Sequence, residues 1–298
     1  MGFKLKIMRR YFAAAFLLSF SIFFLLNSAN AKAFSFAVIG DTQKFKTGKN
    51  DALRQAAENI SASGADFTFM MGDFCSGKNC AKKLSSWKKT ASLLFPEIYG
   101  VHGNHDLINS SSWQSVFNPP LNGPAGYESW TYSFDYENSH FVVLDSSRSR
   151  WHLIDQTQRD WLEQDLAGNT KENIFVFFHE PAFPVSKKIG KSLDARPSDR
   201  NALWQILDNY NVTAVFSGHE HIYSRKKIDS SVFSSAENSI YQFVVGNTDS
   251  YSHSKPSRGV DFYYRPKSFL IVEVSGSQIT TKLYSTNGKF VENFSYSK

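Results

Sequence analysis

The sequence predicts an α/β layered fold. Three observations predict it: short Val-, Ile-, Phe- and Leu-rich runs bounded by Gly or polar residues, helical-period segments between them, and strand-like runs alone toward the C-terminus. The chain has 298 residues, 42% hydrophobic, 20% charged and 15% aromatic. That composition excludes a disordered chain, and two cysteines exclude a disulfide-stapled miniprotein.

The first segment stands outside this pattern. Lys4, Lys6, Arg9 and Arg10 precede an apolar run from Phe12 to Leu26, broken by Ser19 and Ser21, and Ala-x-Ala sites end at Ala31 and Ala33. Basic start, apolar stretch and small residues describe a secretory signal peptide over residues 1–33, with residues 34–298 as the mature domain. The run is shorter than the roughly 20 residues that span a bilayer, so cleavage is expected over an uncleaved anchor. The expected location is periplasmic or extracellular. There Cys75 and Cys80 either close a small loop disulfide or stay as thiols. Five of the 33 basic residues and none of the 27 acidic ones lie in these first 33 positions. The formal +6 therefore belongs mostly to the leader, and the remainder carries 28 basic residues against 27 acidic. No basic stripe with interleaved aromatics marks a nucleic-acid surface.

The apolar runs end abruptly in polar residues. Phe34–Ile39 stops at Gly40-Asp41, Phe67–Met71 at Gly72-Asp73, and Glu97–Val101 at His102-Gly103-Asn104-His105-Asp106. Phe141–Leu144 stops at Asp145, Ile174–Phe178 at His179, and Val212–Phe216 at Gly218-His219-Glu220-His221. These runs read as buried strands. Between them Asp51–Ser61, Thr157–Leu166 with Thr157 as N-cap, and Asp199–Tyr210 have helical spacing. Tyr241–Val245, Ser268–Val274 and Gln278–Tyr284 read as a meander completing a second sheet. Ligands of open α/β sheets gather outside the carboxyl ends of strands, which is where these Asp, Asn and His residues stand.

Taken singly, Gly-Asp is a turn and His-x-His a modest signal. The ordered set is sharper: Asp41-x-Gln43, Gly72-Asp73, Gly103-Asn104-His105-Asp106, His179 and Gly218-His219-x-His221, each at a strand end. Over residues 36–225 it resembles the calcineurin-like metallophosphoesterase family, with Gln43 standing where the family's first motif has histidine. The resemblance implies a four-layer α-β-β-α sandwich of two mixed β-sheets flanked by helices. It further implies two divalent metal ions, with Asp73 bridging them. Asp41, His221 and Gln43 would hold one, and Asn104, His179 and His219 the other. Carboxylate, amide and imidazole suit manganese, zinc or iron. His105, adjoining Asn104, is the candidate proton donor to a leaving alkoxide, with Asp106 orienting it.

The segments Trp130–Tyr136, His140–Asp145 and Gly218–Arg225 are similar to purple acid phosphatase-like members. The tyrosine that colours those enzymes would fall at Ser76, so a colourless divalent site is implied. Arg148, Arg150, Tyr223 and Arg225 are candidate substrate contacts, and Trp113, Phe117, Tyr127 and Trp130 either line a substrate wall or pack the core. The implied function is a secreted phosphomonoesterase acting on a small-molecule phosphate ester. The alternatives are a phosphodiesterase and a non-catalytic metal- or phosphate-binding protein.

Overall fold

Alternation along the strands decides the layers. In β1 (Phe34–Ile39) Phe34, Phe36 and Val38 face one way, while Ala37 and Ile39 face the other. β2 (Phe67–Met70) repeats this with Phe67 and Phe69 against Met70. The residues described by the structure, a computed structural model, are 32–43, 52–76, 80–91, 95–147 and 152–298. The expected leader, apart from residues 32 and 33, and the candidates Arg148 and Arg150 lie outside them.

Two mixed sheets carry these faces. The first joins β1, β2 and β3 (Glu97–Gly100), all parallel, to an antiparallel meander of β11 (Ser268–Ser275), β12 (Gln278–Ser285) and β13 (Phe290–Ser297). The second has the order β10-β8-β9-β7-β6-β5-β4. Its strands are β4 (Tyr132–Tyr136), β5 (Ser139–Val143), β6 (Asn173–Phe177), β7 (Ala214–Ser217), β8 (Tyr223–Ile228), β9 (Ile240–Val245) and β10 (Phe262–Tyr264). Within it β5, β6, β7 and β9 run parallel.

Phenylalanines from both sheets fill the space between them. The Phe36 ring lies 5.4–6.1 Å from those of Phe67, Phe69, Phe141, Phe175, Phe177 and Phe216. Truncating such a residue to alanine costs about 3–5 kcal/mol. On the outer face of the first sheet pack α1 (Ala52–Ser63), α2 (Cys80–Ala91) and α3 (Ser110–Phe117), through Leu53, Ile60, Leu84, Trp87 and Trp113. On the outer face of the second pack α4 (Gln156–Gly168) and α5 (Pro197–Asn209), through Leu162, Leu203, Trp204 and Leu207. This is the four-layer sandwich that the family resemblance implied.

Two local expectations change. The N-cap of α4 is Asp155, whose side chain accepts the Gln158 amide, and not Thr157. Tyr241–Val245 belongs to β9 in the second sheet, whereas the meander sits on β1 in the first. β9 and β11 are both nearly continuous buried runs, so pattern alone does not choose between the sheets. Among the described residues no helix is long and apolar enough to cross a membrane.

Candidate metal centre

The carboxyl ends of β1, β2 and β3 in one sheet meet those of β6, β7 and β9 in the other. Asp41 follows β1, Asp73 follows β2, Asn104 follows β3, His179 follows β6, and His219 and His221 follow β7. Ligand atoms of Asp41, Asp73 and His179 lie within 4.8 Å of one another. Nε2 of His221 is 3.2 Å from Asp41 Oδ1, and Nε2 of His179 is 3.2 Å from Asn104 Oδ1 and 3.5 Å from Asp73 Oδ1. The His219 ring is centred 5.0 Å from that of His179, and Gln43 Nε2 is 3.4 Å from Asp73 Oδ2.

The backbone is bent to make this convergence. Asp41, Asp73 and His219 have φ of 53°, 56° and 66°, in the left-handed region that costs side-chain-bearing residues of order 1–3 kcal/mol each. Gly72, at φ 88°, and Gly103 are packed against one another, and a Cβ on Gly103 would run into the Asp73 amide.

The hydrogen bonds fix which ring nitrogen carries a proton. His179 donates from Nδ1 to the Met71 carbonyl (2.5 Å), His221 from Nδ1 to the Tyr251 carbonyl (2.9 Å), and His219 from Nε2 to the Lys191 carbonyl (2.8 Å). In each neutral ring the other nitrogen is then a lone pair, and those of His179 and His221 face oxygen atoms. Asp41 Oδ1, Gln43 Oε1 and His219 Nδ1 are buried without a hydrogen-bond partner. Lone pairs facing carboxylates need a cation between them, a proton or a metal ion. Imidazoles oriented through backbone carbonyls are the usual supports of metal ligands. The residues present therefore fit a dinuclear metal group.

Electrostatics agree. Burial pushes the Asp73 carboxyl up and Asp41 adds to the rise, while His179 and His105 oppose it. Burial and the neighbouring His179 and Lys188 charges hold His219 well below its ordinary range, so that ring stays neutral.

Other sequence candidates fall differently. The His105 side chain is 47% exposed; its amide donates to Asp73 Oδ1 (2.9 Å) and its Nε2 lies 4.0 Å from Asp73 Oδ2. Asp106 does not orient that ring. Its buried carboxylate accepts the amides of Asp73 (2.8 Å), Phe74 (2.8 Å), Cys75 (3.2 Å) and Gly103 (3.0 Å), which holds the Asp73 turn. Behind it His102 joins Asp145 (3.1 Å) to the Asp106 carbonyl (3.0 Å), linking the two sheets. Burial alone would lower the His102 imidazole, but the Asp145 carboxylate outweighs it and carries it up to about 9.

Tyr223 is not a substrate contact. It is fully buried between the sheets, because the chain has already entered β8 there. Arg225 pairs with Glu292 (2.7 Å) and covers the Phe294 ring. Trp113, Phe117 and Trp130 pack the outer core, and Trp130 also borders a cleft of about 270 Å³ beside Asn104, lined in part by Leu107, Ile108 and Ser147. Cys75 and Cys80 form a disulfide.

Sequence reasoning missed His253, in the loop after β9. Its ring stacks on that of His221 at 4.1 Å, and its Nδ1 accepts the His221 amide (3.1 Å). Burial and the His221 charge push its imidazole down to about 3.

The model of the calcineurin-like phosphoesterase family matches residues 34–223, more than half of the chain. Purple acid phosphatase 22 of Arabidopsis thaliana is 34% identical over 102 residues, covering 32% of this chain and 22% of that protein. The match thus spans about a fifth of that relative's length. Among solved structures, purple acid phosphatase PPD1 from yellow lupin (Lupinus luteus) seeds has a TM-score of 0.68 at 17% identity, covering 90% of this chain and 54% of that one. PhoD has a TM-score of 0.63 at 15% identity, covering 91% and 70%. GAP50, the anchor in the inner membrane complex of Plasmodium, has 0.62 at 16% identity, covering 89% of each chain. At these identities the structural likeness shows the fold.

Proposed function

The chain belongs to the calcineurin-like phosphoesterase family, and from that membership we propose that it is an exported metal-dependent phosphomonoesterase. The observation that carries the reading is the set of three imidazoles whose proton-bearing nitrogens are committed to backbone carbonyls, beside two buried carboxylates. Export is supported by the leader-like residues 1–33 and by the Cys75–Cys80 disulfide, which suits an oxidising compartment.

Asp73 would serve both ions, Asp41, His221 and the unpartnered Oε1 of Gln43 one of them, and Asn104, His179 and His219 the other. Two divalent ions, of manganese, zinc or iron, would supply Lewis-acid charge to the phosphoryl oxygens and lower the pKa of the attacking water. His105 stands at the exposed mouth, tethered through its amide to Asp73. Its ring delivers the proton to the leaving oxygen as the P–O bond breaks. Asp106 keeps the Asp73 turn in place, and His253 keeps His221 facing Asp41.

The test is reconstitution with manganese, zinc or iron, followed by initial rates on p-nitrophenyl phosphate and bis-p-nitrophenyl phosphate. Monoester rates at least about tenfold above diester rates support the proposal. The reverse order makes the protein a phosphodiesterase. No turnover with any metal makes it a binding protein on the same fold.

A further inference from the structure

Beside the centre lies a loop whose lysine side chains the chemistry above does not use. Glu220, between His219 and His221, is fully buried. Its carboxylate accepts the amides of Val185 (2.9 Å) and Ser186 (2.6 Å) and the Ser186 hydroxyl (2.9 Å). A few residues on, the Lys191 carbonyl accepts the His219 ring proton (2.8 Å). The stretch is thus fastened at both ends to the Gly-His-Glu-His segment. Inside it the Lys188 carbonyl accepts the Lys191 amide (2.8 Å) and the Ser192 hydroxyl (3.2 Å), closing a tight turn.

Three lysines ride between the anchors: Lys187 and Lys191 exposed, and Lys188 half-buried. The nearest acid along the chain, Asp194, is committed to Arg258 (3.1 Å) and to the Gly190 amide. Among the described residues, none of the three lysines has a carboxylate within 4.0 Å, whereas Arg258, Lys227, Lys267 and Lys282 each have one. Like charges held together with no carboxylate in contact repel one another and create a positive field beside the centre, even though the Lys188 charge also acts on the buried Glu180 carboxylate. The anchors of the loop use backbone groups, the Ser186 hydroxyl and Glu220, and none of the three lysine ammonium groups.

We infer that the Lys187–Lys191 rim selects the substrate class: phosphate esters whose alcohol part carries a second anionic group, a carboxylate or another phosphate. The inference rests on the phosphoesterase reading above. The ester phosphate goes to the dinuclear centre, and the second anion meets Lys188, with Lys187 and Lys191 adding to the field. An ammonium is a compact charge on a flexible stem, suited to an anion whose position varies among substrates.

O-Phosphoserine and O-phosphoethanolamine differ by one carboxylate on the same leaving-group skeleton, and they are the probes. In the metal-reconstituted protein the ratio of their kcat/KM values, phosphoserine over phosphoethanolamine, should fall about tenfold in Lys188→Gln, mainly through the KM for phosphoserine. Lys188→Arg should keep the ratio within about threefold, which separates charge from folding defects. An unchanged ratio in Lys188→Gln, or equal losses on both substrates, overturns the inference. Release of phosphate from neither probe by the unaltered protein overturns the phosphomonoesterase reading instead. Calorimetric titration of both probes into the two proteins then decides the rim alone: a tenfold change in the ratio of Kd values upholds it, and no change rejects it.

Discussion

Replacing Asp106 by asparagine separates a structural role from a chemical one. The carboxylate takes four backbone amides, Phe74 and Cys75 on Oδ1 and Asp73 and Gly103 on Oδ2, and the residue is only 2% exposed. Asparagine keeps one acceptor oxygen and turns an NH2 toward the other two amides, leaving two buried donors facing a donor. Hydrogen bonds to a charged group contribute about 1.5–3 kcal/mol each, so the loss is about 3–6 kcal/mol. For a domain of this size that corresponds to a fall in Tm of about 6–12 °C. The Asp73 turn, held at φ 56° by these bonds, should relax with it, and bound metal should fall too. Scanning calorimetry and elemental analysis read both effects. A variant with Tm within about 2 °C and full metal, but with kcat sharply reduced, would refute the argument and return Asp106 to the chemistry.

Other expectations are independent of that one. Asp73→Asn should lose both ions by elemental analysis, and retention of full occupancy would count against Asp73 as the shared ligand. His140 sits between Asp135 (2.7 Å) and Asp165 (2.8 Å). Burial would lower its imidazole, but the two carboxylates outweigh burial and raise it above its ordinary value. Its stabilisation is therefore complete below about pH 6.5 and is lost as pH rises through the raised folded value. The stability difference between the unaltered protein and His140→Gln, from urea titrations, should shrink across that window; a constant difference would contradict it. Iron-loaded protein should show no visible charge-transfer band, because Ser76 stands where the coloured relatives carry tyrosine. A purple preparation would overturn that.

The candidate centre is legible in the sequence because a buried strand advertises its own end. Asp41, Asp73, Asn104, His179 and His219 each stand within a few residues of an apolar run, and such a run stops where the chain leaves the core. What escaped lies where that signal is missing. His253 is 32 residues beyond His221, in a polar loop with no period, and only the folded backbone brings it to the His221 ring. Tyr223 lies two residues from the candidate ligand His221, but it is already the first residue of β8 and its side chain is buried between the sheets. Asp106 looked like a partner for His105 by adjacency, whereas its carboxylate points back to an amide cage formed 31–33 residues upstream and at Gly103. The assignment of late strands to sheets is also invisible in the sequence, since β9 and β11 are both nearly continuous buried runs.

The proposed ligand positions are divided by sheet: Asp41, Asp73 and Asn104 leave the first, and His179, His219 and His221 leave the second. No single hairpin or helix holds more than two of them. An ion gripped by both groups would act as a rivet through the sandwich, so its affinity would report how firmly two distant halves of the chain are docked. Each tenfold excess of free ion over its dissociation constant would add about 1.4 kcal/mol to the stability of the whole domain. A chelator would then loosen the phenylalanine layer around Phe36 without touching it.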